Sequence, residues 1–185
     1  MKATCIVGSA RSHGSTACLV DSLIRGMEEQ GIQCVKYCLG EMDIRYCQGC
    51  KRCYQTGQCP QQDDVARIVE DILSSDVVAI AAPSYWGYVP GQLKTFFDRN
   101  TPYGDTNLLR AQQAHQPIRG IAIAVRAGKT EPENLAILDA IDHYFGHMGI
   151  TSLRRFSIRQ TDSLSDLLQC HQAELDELYQ LGKSL

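Results

Sequence analysis

Residues 3–16 read Ala3-Thr4-Cys5-Ile6-Val7-Gly8-Ser9-Ala10-Arg11-Ser12-His13-Gly14-Ser15-Thr16, and the architecture follows from them. The run from Ala3 to Gly8 is apolar and β-branched and stops at glycine, as a parallel strand buried on both faces does on reaching a loop. The loop is rich in hydroxyls and opens a helix. Val20, Leu23, Ile24 and Met27 fall at helical spacing, and Gly31 stops that helix before a second strand over 32–39. A strand, a short polar loop and a helix N-terminus make an anion site, because backbone N–H groups and the positive end of the helix dipole face the loop. Ser9, Ser15 and Thr16 add hydroxyl donors and Arg11 adds a cation, so a phosphate group is expected here. The same residues also suit an ordinary capped helix after a βα turn. The loop is neither a Walker A sequence nor a dinucleotide fingerprint, since it lacks Gly-Lys-Ser/Thr and the chain contains no G-x-G-x-x-G.

The pattern repeats along the chain. Asp63 can cap a helix carrying Val65, Ile68, Val69, Ile72 and Leu73, and Asp76 to Ala82 is a second fully apolar strand. That strand delivers Pro83-Ser84-Tyr85-Trp86-Gly87-Tyr88-Val89-Pro90 to the same sheet edge as the first loop, where three aromatics form a platform for a flat group. The other reading is that Tyr85 and Trp86 merely cover the sheet end. Pro90 starts the next helix, with Leu93, Phe96 and Phe97 inward and Asp98-Arg99 at its end. Residues 100–117 lack periodicity and read as a surface excursion ordered at a subunit contact. Ile118 to Val125 is the next strand, and Arg126-Ala127-Gly128 is a third, glycine-containing loop that brings Ala127 and Gly128 to the same carboxyl edge as candidate binding residues. Thr130-Glu131-Pro132-Glu133 predicts a capping box. Its helix bears Ile137, Leu138, Ile141, Tyr144, Phe145 and Met148 and ends at Gly149; the strand over 150–158 carries Arg154 and Arg155, as an edge strand does. Leu164, Leu167, Leu168, Leu175 and Leu178 predict a helical extension over 160–185. The whole predicts one α/β domain over 1–185, a doubly wound five-stranded parallel sheet of order 2-1-3-4-5.

Between the second strand and the helix at 63 lies Cys47-Gln48-Gly49-Cys50-Lys51-Arg52-Cys53-Tyr54-Gln55-Thr56-Gly57-Gln58-Cys59, followed by Pro60. The spacing C-x2-C-x2-C-x5-C lets one turn of backbone present three thiols, with a longer reach bringing the fourth. Polypeptides wrap a 4Fe-4S cluster in this way. Structural zinc is an alternative, although its sites usually draw on two ligand pairs well apart in sequence. Disulfides fit less well at such short spacing, and redox-active dithiol chemistry stays open. Lys51 and Arg52 would offset the negative charge of a thiolate-bound cluster, or would simply be solvated.

The chain has 185 residues and a net charge of −3, and no basic stripe of the kind a nucleic-acid groove needs. It starts directly on a strand, without a signal peptide or an apolar run of membrane-spanning length, which predicts a cytoplasmic protein. Nine cysteines are too few for a disulfide scaffold and more than packing requires, which favours metal or redox use. Cys5, Cys18, Cys34, Cys38 and Cys170 sit in apolar-periodic segments and read as small buried hydrophobes. His13, His115, His143, His147 and His171 are scattered; His143 and His147 are four apart on one helix, without an H-E-x-x-H carboxylate, and read as surface histidines.

A single phosphate site, an aromatic platform and a glycine-containing loop at one sheet edge suit flavin mononucleotide. Gly8-Ser9-x-Arg11-x-x-Gly14-Ser15-Thr16 resembles the FMN phosphate loop of the flavodoxin-like NADPH-dependent FMN reductase superfamily. Pro83-x-Tyr85-Trp86-Gly87-x-x-Pro90-x-x-Leu93-Lys94-x-Phe96-x-Asp98-Arg99 resembles its isoalloxazine loop and following helix. The cysteine spacing is similar to that of the superfamily's iron-sulfur flavoproteins. The resemblance, covering about residues 1–150, implies FMN held by Ser9, Arg11, Ser15, Thr16, Pro83, Ser84, Tyr85, Trp86 and Gly87, and a 4Fe-4S cluster held by Cys47, Cys50, Cys53 and Cys59. It further implies electron flow from ferredoxin or NAD(P)H to dioxygen, peroxide or a quinone, without a catalytic acid or base, in a homodimer or homotetramer where one subunit's cluster faces another's flavin. Two alternatives are an NAD(P)H-dependent FMN or quinone reductase with a structural or zinc-binding cysteine loop, and a non-enzymatic redox sensor.

Overall fold

The structure, a computed structural model, describes residues 1–110 and 117–185. Its chain order is β1 (Lys2–Val7), α1 (Ser15–Glu29), β2 (Gln33–Cys38), the short α2 (Cys53–Thr56), α3 (Val65–Leu73), β3 (Val77–Pro83), α4 (Gly91–Arg99), β4 (Ile118–Val125), α5 (Pro132–Met148), β5 (Ile150–Ile158), α6 (Leu164–Cys170) and α7 (Gln172–Ser184). The five strands are all parallel in the order β2-β1-β3-β4-β5. Chain direction across the sheet therefore reverses between β1 and β3, which opens a crevice beyond their carboxyl ends.

Strand alternation divides the apolar residues between two faces. Ile6, Val78, Ile80, Ala122 and Ala124 pack with α3, α4 and α5, whereas Cys5, Val7, Val77 and Ala79 pack with α1 and α7. Both faces of β1 and β3 are covered, which is why their sequences are continuous apolar runs. Helix α4 approaches the crevice closely: a Cβ on Gly8 would lie 2.9 Å from Leu93 and 3.2 Å from the Ala81 carbonyl oxygen. On the other face Gly26 of α1 meets α7 so tightly that a Cβ there would be 2.1 Å from the Tyr179 carbonyl oxygen. The Ser22 hydroxyl donates to the Leu175 carbonyl across the same contact, at 2.8 Å.

Edge strand β5 exposes Arg154 and Arg155, which pair with Glu177 at 3.3 Å and Asp139 at 2.7 Å, and a register shift at Gly120/Ile121 interrupts its pairing to β4. The C-terminal extension is helical as expected, and two other expectations, the capping box at Thr130 and the burial of three cysteines, are corrected. The predicted capping box at Thr130 does not form: α5 starts after Glu131 without a side-chain cap, because Arg126 engages both the Thr130 hydroxyl and the Glu133 carboxylate. A capping box forms instead at Ser163 with Asp166, and the C-terminal extension is two helices that meet at His171. Cys170 is exposed, and Cys18 and Cys34 are only half-buried; burial pushes the Cys5 thiol well up and raises that of Cys34 to about 11. Of the excursion over 100–117, residues 108–110 form one 3-10 turn, while its centre and His115 lie outside the described residues. No helix among the described residues is long and apolar enough to cross a membrane.

Candidate cofactor site

Three strand ends build a crevice. The β1–α1 loop brings Ser9, Arg11, Ser15 and Thr16 to one cavity with Pro83, Ser84, Tyr85 and Ala127. Ser9 is fixed by its own loop, its hydroxyl accepting from the Arg11 amide at 3.0 Å. Ser15 and Thr16 are 4% exposed at the first turn of α1, and the buried Ser15 hydroxyl has no partner among the described residues. An orphaned buried hydroxyl beside free N-terminal amides fits an anion, because desolvating a polar group without a bond costs about 1–3 kcal/mol. Arg11 lies exposed at the rim.

The β3–α4 loop continues the crevice. The Ser84 amide donates to the Val125 carbonyl at 2.7 Å, tying this loop to the end of β4. Tyr85 and Tyr88 close a tight turn by donating to each other's carbonyls at 3.0 and 3.2 Å, with Trp86 (φ 54°) and Gly87 (φ 74°) left-handed at its tip. A left-handed tryptophan is strained, and its ring is fully exposed at 105%. Trp86, Gly87, Ala127 and Gly128 line the adjoining cavity of about 550 Å3. The polar wall there is Glu133, which accepts from Ser84 at 3.2 Å and pairs with Arg126 at 2.9 Å. Arg126, Glu133, Thr161 and Asp162 were not singled out from sequence as site residues. Arg126 was in the third loop, but Thr161 and Asp162 come from beyond β5 and carry no motif.

The cysteine loop is a separate construction. Cys47, Cys50, Cys53 and Cys59 are unpaired and line one cavity with Asp98, Arg99 and Pro102. Gly49 (φ 62°) and Lys51 (φ 57°) are left-handed on either side of Cys50. Burial raises the Cys53 thiol, with Cys59 and Cys47 adding to the effect. Among the described residues no three His, Cys, Asp or Glu side chains converge on a point as ligands of a single metal ion.

The loop hangs from a narrow neck. Asp43 and Asp64 exchange bonds, amide to carboxylate at 2.9 Å and amide to carbonyl at 3.0 Å. Above them the Arg45 amide donates to Asp63 at 3.1 Å, and Arg99 from the end of α4 donates to the Arg45 carbonyl at 2.7 Å and to both Asp63 oxygens. Both side chains of this ion pair are 1% exposed. Burial alone would raise the Asp63 carboxyl, but Arg99 and the amides of Arg45 and Val65 hold it below the usual carboxylate range. The buried Arg99 Nε–H has no partner among the described residues, and Arg99 lines the cysteine cavity. A fixed cation with an unused donor beside four thiols fits a thiolate-bound anionic group.

A sequence model of the NADPH-dependent FMN reductase family matches residues 1–160. The chain belongs to that family. Among characterised sequences it is similar to an iron-sulfur flavoprotein of Archaeoglobus fulgidus, 35% identical over 136 residues that make up 74% of this chain and 59% of the relative. It is also similar to the putative NAD(P)H-dependent FMN-containing oxidoreductase YwqN of Bacillus subtilis, 30% identical over 94% of this chain and 92% of the relative. The chain thus spans a little over half of the iron-sulfur flavoprotein of A. fulgidus and nearly all of YwqN. Among solved structures, an NAD(P)H:quinone oxidoreductase from Methanothermobacter marburgensis superposes with a TM-score of 0.76 over 100% of this chain and 95% of that one, at 16% identity. A flavodoxin from the domain Archaea superposes with a TM-score of 0.57 at 14% identity. These two share the fold, and the family's flavodoxin-like sheet is the one described above.

Proposed function

We propose that this chain is a flavin-dependent oxidoreductase that holds FMN in the three-loop crevice and a 4Fe-4S cluster in the cysteine loop. The observation that carries the reading is that four unpaired thiols and the buried Arg99, whose Nε–H has no partner among the described residues, line one cavity. With both groups bound, the chemistry supplied is the exchange of electron pairs for single electrons. Ser9, Ser15, Thr16 and Arg11 hold the phosphate, the amides and dipole of α1 adding their share. Pro83, Ser84, Tyr85, Trp86 and Gly87 would seat the ring system, with Ala127 and Gly128 lining the adjoining cavity. Glu133 and Arg126 supply a neutralised polar edge there. Cys47, Cys50, Cys53 and Cys59 would ligate the cluster, and Arg99 would place a fixed positive charge beside it. No side chain has to move a proton for electron transfer. Ferredoxin or NAD(P)H is the donor, a small molecule such as dioxygen, peroxide or a quinone the acceptor, and a homo-oligomer the working unit. The experiment is an iron and flavin assay on protein purified without air: about four irons and one FMN per chain are expected.

A second reading has its own support in YwqN, which matches nearly the whole chain. In it the protein is an NAD(P)H-dependent FMN or quinone reductase whose cysteine loop holds no cluster. A yellow, iron-free protein that oxidises NAD(P)H after anaerobic reconstitution would establish it in place of the first.

A further inference from the structure

Helix α5 carries His143 and His147 one turn apart, and their Nε2 atoms lie 3.1 Å from each other. The sequence offered no carboxylate for this pair, but the fold brings one from 42 residues away: the Nδ1 of His147 is 2.7 Å from an Asp105 oxygen. Asp105 is itself placed by backbone, its amide donating to the His147 carbonyl at 2.9 Å. His147 holds the Asp105 carboxyl below its usual range. An ionised carboxylate only accepts, so Nδ1 of His147 carries the proton and its Nε2 presents a lone pair toward His143. A carboxylate behind a ligating imidazole is the usual outer support of a histidine metal ligand. The Nε2 separation is close to the about 3.3 Å edge of a tetrahedron with Zn–N bonds of about 2.0–2.1 Å.

Surrounding charge also favours a cation. Both rings lie in the last turn and a half of α5, where the helix dipole is negative. Lys94 and Asp98, in the wall of the same cavity, neutralise each other at 2.5 Å. Arg110 is spent on the helix end, donating to the His147 and Met148 carbonyls at 2.9 Å each. Both imidazoles open on a cavity of about 470 Å3, which leaves room for water or another oxygen donor on the remaining positions of an ion.

We propose that His143 and His147, with Asp105 orienting His147, form a binding site for a zinc-class divalent cation, separate from the cysteine loop and the flavin crevice. The ion takes two imidazole nitrogens and oxygen ligands from the cavity. Imidazole with oxygen suits Zn2+ and its first-row neighbours, whereas an all-oxygen site would suit Mg2+ or Ca2+.

Cobalt distinguishes this site from the thiols, because nitrogen and oxygen ligation gives weak visible bands only, while thiolate ligation adds intense near-ultraviolet charge transfer. Titrating the whole protein with Co2+ should give a visible component without the ultraviolet one, which His143→Ala combined with His147→Ala abolishes while any thiolate component persists. Asp105→Asn should weaken that component about 10- to 100-fold, the usual effect of losing a carboxylate behind a ligating histidine. Identical isotherms for the wild type and the double variant would overturn the proposal. A second measurement needs no variant: on adding Zn2+, the Nε2 resonances of both histidines should shift together in 1H–15N spectra while Nδ1 of His147 stays protonated. Histidine spectra unaltered by Zn2+ would overturn it equally.

Discussion

The flavin crevice and the cysteine loop lie at opposite extremes of how a fold supports a site. The crevice is made of strand ends: Ser9, Pro83 and Val125 are continuations of buried β1, β3 and β4, and each is positioned by sheet registry. The loop has no sheet beneath it and is mostly exposed, held by a neck of charged residues centred on one buried ion pair. Damage should therefore stay local in the crevice, whereas at the neck one substitution should release the whole loop.

The largest effect should come from the loop itself. Cys53→Ala is expected to reduce iron from about four per chain to near zero, since three thiolates hold the cluster poorly, while FMN content is retained. Loss of both together, measured by metal and flavin analysis, would mean the regions are not independent. Next is the neck: Arg99→Met leaves Asp63 buried without its partner and should cost about 3–5 kcal/mol in chemical denaturation. The same variant should make the loop sensitive to protease before the sheet unfolds; a loop as resistant as the wild type would show that other contacts hold it.

In the crevice the expected loss is smaller. Arg11→Ala should weaken FMN retention by about 1–3 kcal/mol, the worth of a charge-assisted hydrogen bond, and leave riboflavin binding unchanged. Equal losses for both flavins would remove Arg11 from the phosphate. Smallest is an acid effect. Because the folded Asp63 carboxyl lies below its unfolded value of about 3.9, its contribution is complete above that pH and disappears as pH falls through the folded value. Amide exchange in residues 45–63 should therefore accelerate below about pH 4 and ahead of that in β1 and β3. Equal acceleration in both regions would contradict the neck.

What could be read in the sequence follows the same division. Apolar β-branched runs, the glycine after β1 and the cysteine spacing are local patterns, and from them the five parallel strands and their order were legible. Arg99 and Asp63 were not, being 36 residues apart and coupled only once α4 lies against the neck. The capping box at Thr130 failed for a tertiary reason: Glu133 accepts from Ser84 and Arg126, so its carboxylate is not free to reach back to the helix start. His143 and His147 looked isolated because their carboxylate, Asp105, sits in the excursion after α4.

Helix α4 starts where the aromatic turn ends and finishes at Arg99, nine residues in all, so it is a rod of about 13–14 Å joining the two regions. Its length works as a ruler. Adding one residue would turn Arg99 by about 100° about the helix axis and take it out of the neck, whereas adding a whole turn would preserve its bearing and move it about 5 Å along the axis. The spacing between the aromatic turn and the buried ion pair of the neck is thus set in helical turns, and any lineage or designer that changes it while keeping both has to do so in steps of that size.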